Sequence, residues 1–319
     1  MLGKQQPVLF EGKFSPGGRY YAYVFRETFI YSYSRKGGSS ISQGTFTDKL
    51  QVIDTQTGAK LLDKPIAPKT FDCIYPRVAD VNDHYVAVAC SGTHSKAMAP
   101  AIFSIADRRI TLDSAEVAKR SSVASVAEVG ATDFRRSLSD PDAFIFEGQD
   151  GRLYRLDPAT GQVQPTQAAV ERVDQRMDEV LRGGLPRNFS EEGNTRKAFV
   201  RKFDGARSQD DFLDPKLLYF ADSGEHESFP PATLIDGGFL VLSPQRKDDK
   251  QHLSLTLVDA GTLKTRWSTP LPQALPDWAS RFETRQFVRQ GGTLLIANSS
   301  QLLRVDLGSG QVTRNVALL

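Results

Sequence analysis

At 319 residues the chain is long enough for two average domains or one large repeat fold, and its 39% apolar content is spread in short runs. No run approaches the roughly 20 apolar residues of a membrane-spanning helix, and the opening MLGKQQPV holds no apolar stretch that would serve as a secretion signal. A net charge of +2, with bases scattered among acids, argues against a nucleic-acid partner, whose phosphates call for a concentrated basic surface.

Val8 to Phe14 and Arg19 to Arg26 read as strands around the turn signal Ser15-Pro16-Gly17-Gly18. Phe29 to Ser34 then alternates aromatic with small polar residues before a Gly/Ser-rich stretch, Gly37 to Gly44, as a long hairpin inserted in the first repeat would. The two-residue period of a strand places Phe29, Tyr31 and Tyr33 on one face. That face is either packed on the body of the protein or a candidate partner surface.

Next comes LQVIDTQTGAKLL, Leu50 to Leu62, and the same phrase returns as LYRLDPATGQVQ from Leu153, LTLVDAGTLKTRWSTPL from Leu255 and LLRVDLGSGQVT from Leu302. Each is an alternating run that ends at an Asp, a short turn, and a second run leading away, which predicts a β-hairpin. Asp54, Asp157, Asp259 and Asp306 sit where a carboxylate can accept hydrogen bonds from backbone N–H groups two or three residues on. Gly58, Gly161 and Gly310 follow four residues later, where a turn calls for positive φ; in the third copy Leu263 stands there. The repeated aspartates are therefore expected to shape turns rather than to bind metal.

Between the first two phrases, IYPRVADV and HYVAVAC predict paired strands around Asn82-Asp83. The two cysteines, Cys73 and Cys90, fall beside these strands, so a disulfide is one reading and two buried thiols the other. A disulfide would imply an oxidising compartment. His84, His94, His226 and His252 are dispersed, and Cys73, His84, Cys90 and His94 lack the spacing of a zinc site. AIFSIADRRITL is a shorter hairpin centred near Asp107, and Asp113 to Val129 is either loop or short helix. Val170, Val173, Met177, Val180 and Leu181 recur at helical spacing before Gly183-Gly184, which predicts an amphipathic helix over Ala168 to Arg182. A weak unit follows around Asp204-Gly205, with strands at Lys197 to Phe203 and Lys216 to Ala221.

Taking Asp54, Asp107, Asp157, Asp204, Asp259 and Asp306 as markers, the intervals are 53, 50, 47, 55 and 47 residues. Such a period, with several strands per unit, predicts an all-β chain folded as one β-propeller domain over residues 1–319, with about six four-stranded blades, or seven or eight if blades have been merged.

The repeat resembles that of quinoprotein-like propellers, A-x-D-x-x-T-G-x-x-x-W, whose tryptophan docks one blade on its neighbour. Asp259, Thr262 and Trp267 match it. Asp54, Thr57 and Gly58 match with Leu62 at the tryptophan position; Asp157, Thr160 and Gly161 with Pro165; and Asp306, Ser309 and Gly310 with Arg314. Dehydrogenases of that superfamily pair adjacent cysteines over pyrroloquinoline quinone and bind calcium near a catalytic aspartate. Adjacent cysteines are missing here, as is a G-x-S-x-G elbow. The resemblance is thus to the non-catalytic type, which implies a monomeric scaffold of the bacterial periplasm or cell envelope that binds a protein and no cofactor, catalytic residue or metal. An enzyme or small-ligand binder using the central channel, or a cytoplasmic location, is the alternative.

Overall fold

The computed structural model describes residues 2–4, 7–10, 12–34, 40–66, 73, 75–90, 99–121, 126, 129–137, 139, 140, 142–170, 199–204, 207–212, 232–247, 250–259, 262, 264–274, 286–297 and 300–319. The chain divides into two compact units, residues 1–172 with Leu319, and Val173–Leu318. Among the described residues almost all regular structure in both is antiparallel sheet.

The described residues of the first unit form three sheets. In the first, β1 (Leu2–Lys4), β2 (Val8–Leu9) and β3 (Lys13–Phe14) all pair with β4 (Tyr20–Ser34), followed by β5 (Ser40–Asp54) and β6 (Lys60–Pro65). The second runs β7 (Pro76–Val81), β8 (Tyr85–Cys90), β9 (Ala101–Ser104) and β10 (Arg109–Leu112). A helix, α1 (Ser114–Arg120), follows. Asp113 caps it, accepting from the Glu116 N–H at 2.8 Å while the Glu116 carboxylate accepts from the Asp113 N–H at 3.1 Å. The third sheet is β11 (Phe134–Arg136), β12 (Phe144–Glu147), β13 (Leu153–Leu156) and β14 (Val163–Pro165).

Both faces of the second sheet are buried, which explains the unbroken apolar run of β8. Val78, Val86, Val88 and Cys90 join one core with Val24, Leu50, Val52 and Leu62 of the first sheet. Ala79, Ala87 and Ala89 join another, with Phe134, Phe144, Phe146, Tyr154 and Leu156 of the third. Small residues on β8 thus face large rings on the next sheet, which keeps the layer filled.

In the second unit, β15 (Phe199–Asp204), β16 (Arg207–Phe212), β17 (Ala232–Ile235), β18 (Gly238–Lys247), β19 (Lys250–Asp259) and β20 (Thr265–Ala274) form one sheet. The last sheet is β21 (Gln286–Gln290), β22 (Thr293–Ala297), β23 (Gln301–Asp306) and β24 (Val312–Ala317). Leu240, Leu255, Leu257, Leu271, Leu294, Ile296, Leu303 and Val305 make their shared core.

Among the described residues there are therefore five sheets. The weak unit expected around Asp204 is not a separate sheet: β15 pairs antiparallel with β16 and parallel with β17, so both strands extend the sheet of the Asp259 hairpin. The strand expected over residues 216–221 lies outside the described residues. So does the helix expected over residues 168–182, apart from its first three residues, of which Val170 bridges to Ser137.

Candidate functional site

The repeated turns come first. Asp54 Oδ1 accepts from the N–H groups of Gln56 and Thr57 at 2.9 and 2.8 Å, and Asp157 Oδ1 from Ala159 and Thr160 at 2.8 and 3.3 Å. Asp306 Oδ1 accepts from the N–H and hydroxyl of Ser309 at 2.8 and 2.7 Å. Asp259 Oδ1 does the same with Thr262, while its other oxygen holds Arg266. Gly58, Gly161 and Gly310 have φ of 75°, 76° and 75°. Each carboxylate is occupied inside its own turn and shapes a corner. Hydrogen bonding to the charged form lowers the pKa of Asp259, through Arg266 first, and of Asp306, through Ser309 first.

The second sheet corrects the sequence reading. There the capping residue is Ser104, whose hydroxyl accepts from the Asp107 N–H at 3.1 Å, the same three-residue step that the aspartates span. Four residues after Ser104, where three copies have glycine, Arg108 takes φ of 55°. Asp107 is therefore the third turn residue of this copy and not its marker. Asp204 ends β15 opposite Arg207 of β16.

In two copies the residue eight positions after the capping residue packs on the glycine of the following sheet's turn. A Cβ on Gly161 would stand 3.1 Å from Cδ1 of Leu112, and one on Gly310 would stand 2.4 Å from Cε3 of Trp267. Trp267 Nε1–H also donates to the Leu307 carbonyl at 2.9 Å, and the Thr269 hydroxyl to the Gly310 carbonyl at 2.7 Å. Leu62, at the same step in the first sheet, is buried against the second.

The Cys73 and Cys90 thiols form a disulfide, with Cα atoms 5.7 Å apart. Neither thiol is then available to zinc. Cys90 lies opposite Pro76 at the end of β8, so the bond ties the segment that enters β7 to the strand beside it.

The first sheet carries an exposed apolar cluster around its long central hairpin. β4 and β5 pair over their whole length, from Tyr20 opposite Asp54 to Ser34 opposite Ser40, and so run well beyond β6, which covers only Lys49 to Ile53. On one face of β4, Tyr21, Tyr23 and Phe25 are buried, with ring centroids 5.7 and 6.1 Å apart along the series. Tyr23 donates its hydroxyl to Gln51 Oε1, and burial raises its pKa. Glu27, held 3.0 Å from Lys49, interrupts the series before Phe29, which is half-buried. Tyr31 and Tyr33 continue the same alternation, but their side chains lie outside those described.

On the opposite face, Arg26 donates to both oxygens of the buried Asp48 at 2.7 and 2.8 Å. Its guanidinium lies 4.0 Å from the ring centre of Phe46, 5.4 Å from Phe10 and 5.6 Å from Tyr75. Val8 is its neighbour across β2. Val8, Phe46 and Tyr75 are 55%, 53% and 46% exposed, so three of the four exposed large hydrophobics among the described residues gather around one arginine. Sequence reasoning singled out Phe29, Tyr31 and Tyr33 but missed this face, because Val8, Phe10 and Tyr75 reach Arg26 from separate segments.

A second polar cluster joins the three sheets of the first unit. Lys13 of β3 donates to the Ala79 carbonyl at 2.5 Å, Arg136 of β11 donates to the Phe14 carbonyl at 2.9 Å, and Asp80 of β7 accepts from the Val81 N–H at 2.9 Å. Asp80 is buried, and burial raises its pKa against the opposing pull of Lys13 and Arg136.

No family model matches this chain, and no curated protein matches it. Among solved structures, one described as the crystal structure of the eukaryotic initiation factor aligns with 97% of this chain and 87% of its own at 11% identity, with a TM-score of 0.22. A likeness at that level assigns neither fold nor function.

Proposed function

We propose that this chain is a non-enzymatic β-propeller scaffold, similar to the quinoprotein-like propellers of the bacterial cell envelope, and that it binds a protein partner through the projecting β4–β5 hairpin. Several features support the propeller reading: four-stranded antiparallel units in three of the described sheets, neighbouring sheets sharing a core within each unit, and two turns docked on by the residue eight steps along the preceding repeat. The observation that carries the binding reading is the exposed cluster of Val8, Phe46 and Tyr75 around Arg26. Aromatic residues and arginine are the side chains enriched where protein interfaces concentrate their energy. The disulfide supports an oxidising compartment, as the periplasm is.

The test is a photoreactive phenylalanine analogue at position 75 in the native host. The proposal expects one discrete protein adduct, lost when Arg26→Ala removes the centre of the cluster. The same adducts from a probe at Gln164 of β14, or none at all, would contradict it.

The channel-using alternative rests on the Lys13, Asp80 and Arg136 cluster, since charges carried by the first strands of three successive propeller blades would lie beside the central channel. Reduction of a dye by alcohols or sugars in the presence of pyrroloquinoline quinone and calcium would favour it over the scaffold.

A further inference from the structure

We infer that the Cys73–Cys90 disulfide gates the surface around Arg26: the oxidised chain holds Tyr75 beside Arg26, and reduction by a dithiol releases it. This rests on the proposed partner surface and supplies its regulation.

Val8, Phe10 and Phe46 are placed around Arg26 by the first sheet itself. Val8 pairs with Arg26 across β2, the Phe10 N–H donates to the Val24 carbonyl at 2.8 Å, and Phe46 lies opposite Thr28 in the ladder between β4 and β5. Tyr75 comes from elsewhere, from the segment that enters the second sheet just before β7 begins. Its neighbour Pro76 stands opposite Cys90 but has no N–H to give that strand. On the other side of Tyr75, Cys73 is bonded to the same Cys90. A covalent bond thus ties the segment down at the point where backbone pairing loses a donor. The next described anchor upstream is Ile66, whose N–H donates to the Asp48 carbonyl at 2.8 Å.

The rest of the second sheet is held without the bond. Asn82 closes the β7–β8 hairpin, its Oδ1 accepting from the His84 and Tyr85 N–H groups at 2.8 and 2.7 Å, and Val78, Val81, Val86 and Val88 are buried in the core shared with the first sheet. Breaking the disulfide therefore loosens the entry to β7 and leaves the sheet in place.

Cys73 is partly exposed and Cys90 only 5% exposed, so an incoming thiolate meets Cys73 first. Its attack on the Cys73 sulfur forms a mixed disulfide and expels the Cys90 thiolate, which takes up a proton. The second thiol of the reductant then attacks the mixed disulfide, closes the reductant's own disulfide and leaves Cys73 as a thiol. Two electrons and two protons pass from the dithiol to the chain. Exchange with a disulfide oxidant runs the other way, so the surface is assembled where the compartment is oxidising.

The test reads position 75 without needing the partner. A trifluoromethyl-phenylalanine in place of Tyr75 is followed by fluorine NMR in the full chain, with and without Arg26→Ala, before and after reduction by dithiothreitol. In the oxidised chain Arg26→Ala should shift the resonance; after reduction the resonance should move and cease to respond to Arg26→Ala. The same probe in place of Phe46 should respond to Arg26→Ala in both states, because β5 keeps its pairing. An oxidised chain in which position 75 ignores Arg26, a response there that survives reduction, or loss of the response at position 46 as well, which would mean general unfolding, would each overturn the inference. In the native host, the photo-adduct from position 75 should fall roughly tenfold when Cys73→Ser and Cys90→Ser are combined, the scale of losing one aromatic anchor. An undiminished adduct overturns the gating and leaves the partner surface standing. No adduct from the parent chain overturns the partner surface, and the fluorine spectra still decide whether the disulfide holds Tyr75.

Discussion

Trp267 lies across Gly310: its indole leaves no room for a Cβ there, the nearest ring atom being 2.4 Å from where one would stand, and it donates to the Leu307 carbonyl in the same turn. One side chain thus joins the sheet of the Asp259 hairpin to the sheet of the Asp306 hairpin. Trp267→Ala should cost about 2–4 kcal/mol, somewhat below a fully buried tryptophan. Gly310→Ala should also destabilise, by about 1–2 kcal/mol from the left-handed backbone alone, plus the clash. Denaturant unfolding of both singles and the double variant closes the cycle. The double should lose less than the sum, since removing the indole relieves the alanine.

Arg108 holds a conformation that Gly58, Gly161 and Gly310 hold without steric cost. Arg108→Gly should therefore stabilise by up to about 1 kcal/mol, the steric cost of left-handed backbone offset in part by glycine's greater unfolded freedom. Gly161→Ala should do the opposite, because it meets both positive φ and Leu112. A pair of melting curves decides it. A less stable Arg108→Gly would mean that the turn does not follow the shared pattern.

The Cys73–Cys90 bond closes a loop spanning 17 residues. Its reduction should lower stability by about 3 kcal/mol in the chain-entropy description. Urea midpoints with and without reductant, on protein whose two thiols have been counted under denaturation, measure this. An unchanged midpoint would assign the pair a packing role only.

Burial raises the pKa of Asp80, so over the interval above the ordinary carboxylate value the folded chain binds more protons than the unfolded one. Stability from this group is accordingly highest at acid pH and falls as pH rises through its folded pKa. Lys13 and Arg136, which face it, reduce the effect without reversing it. Asp80→Asn should flatten that fall. The turn carboxylates have the opposite sign: Asp306, with its pKa lowered, contributes above the ordinary carboxylate range, and that contribution is lost as pH falls. Stability measured across pH 3–8 for Asp80→Asn and Asp306→Asn should show slopes altered in opposite directions. A slope unaltered in Asp80→Asn would remove the buried-charge account.

The hairpin turns were legible in the sequence because each is a local event. An Asp, a Thr or Ser three residues on and a Gly at the fourth position satisfy one another without help from the rest of the fold. The copy at Ser104 was not legible, since a serine does the carboxylate's work and an arginine takes the glycine's place, leaving Asp107 as a decoy at nearly the right interval. The capping box of Asp113 and Glu116 is a local signature of α1, but the loose apolar pattern from Asp113 to Val129 fits loop and helix alike. The Arg26 cluster and the Lys13–Asp80–Arg136 cluster could not be read in advance. Each is assembled from strands or loops that only the sheet packing brings together.

The central proposal is that the repeated sheets belong to one closed propeller. Small-angle X-ray scattering tests this most directly. A single compact ring of this length should have a radius of gyration of about 20 Å and one peak in its distance distribution. A radius above roughly 25 Å with two peaks, as expected of two tethered bodies, would contradict it.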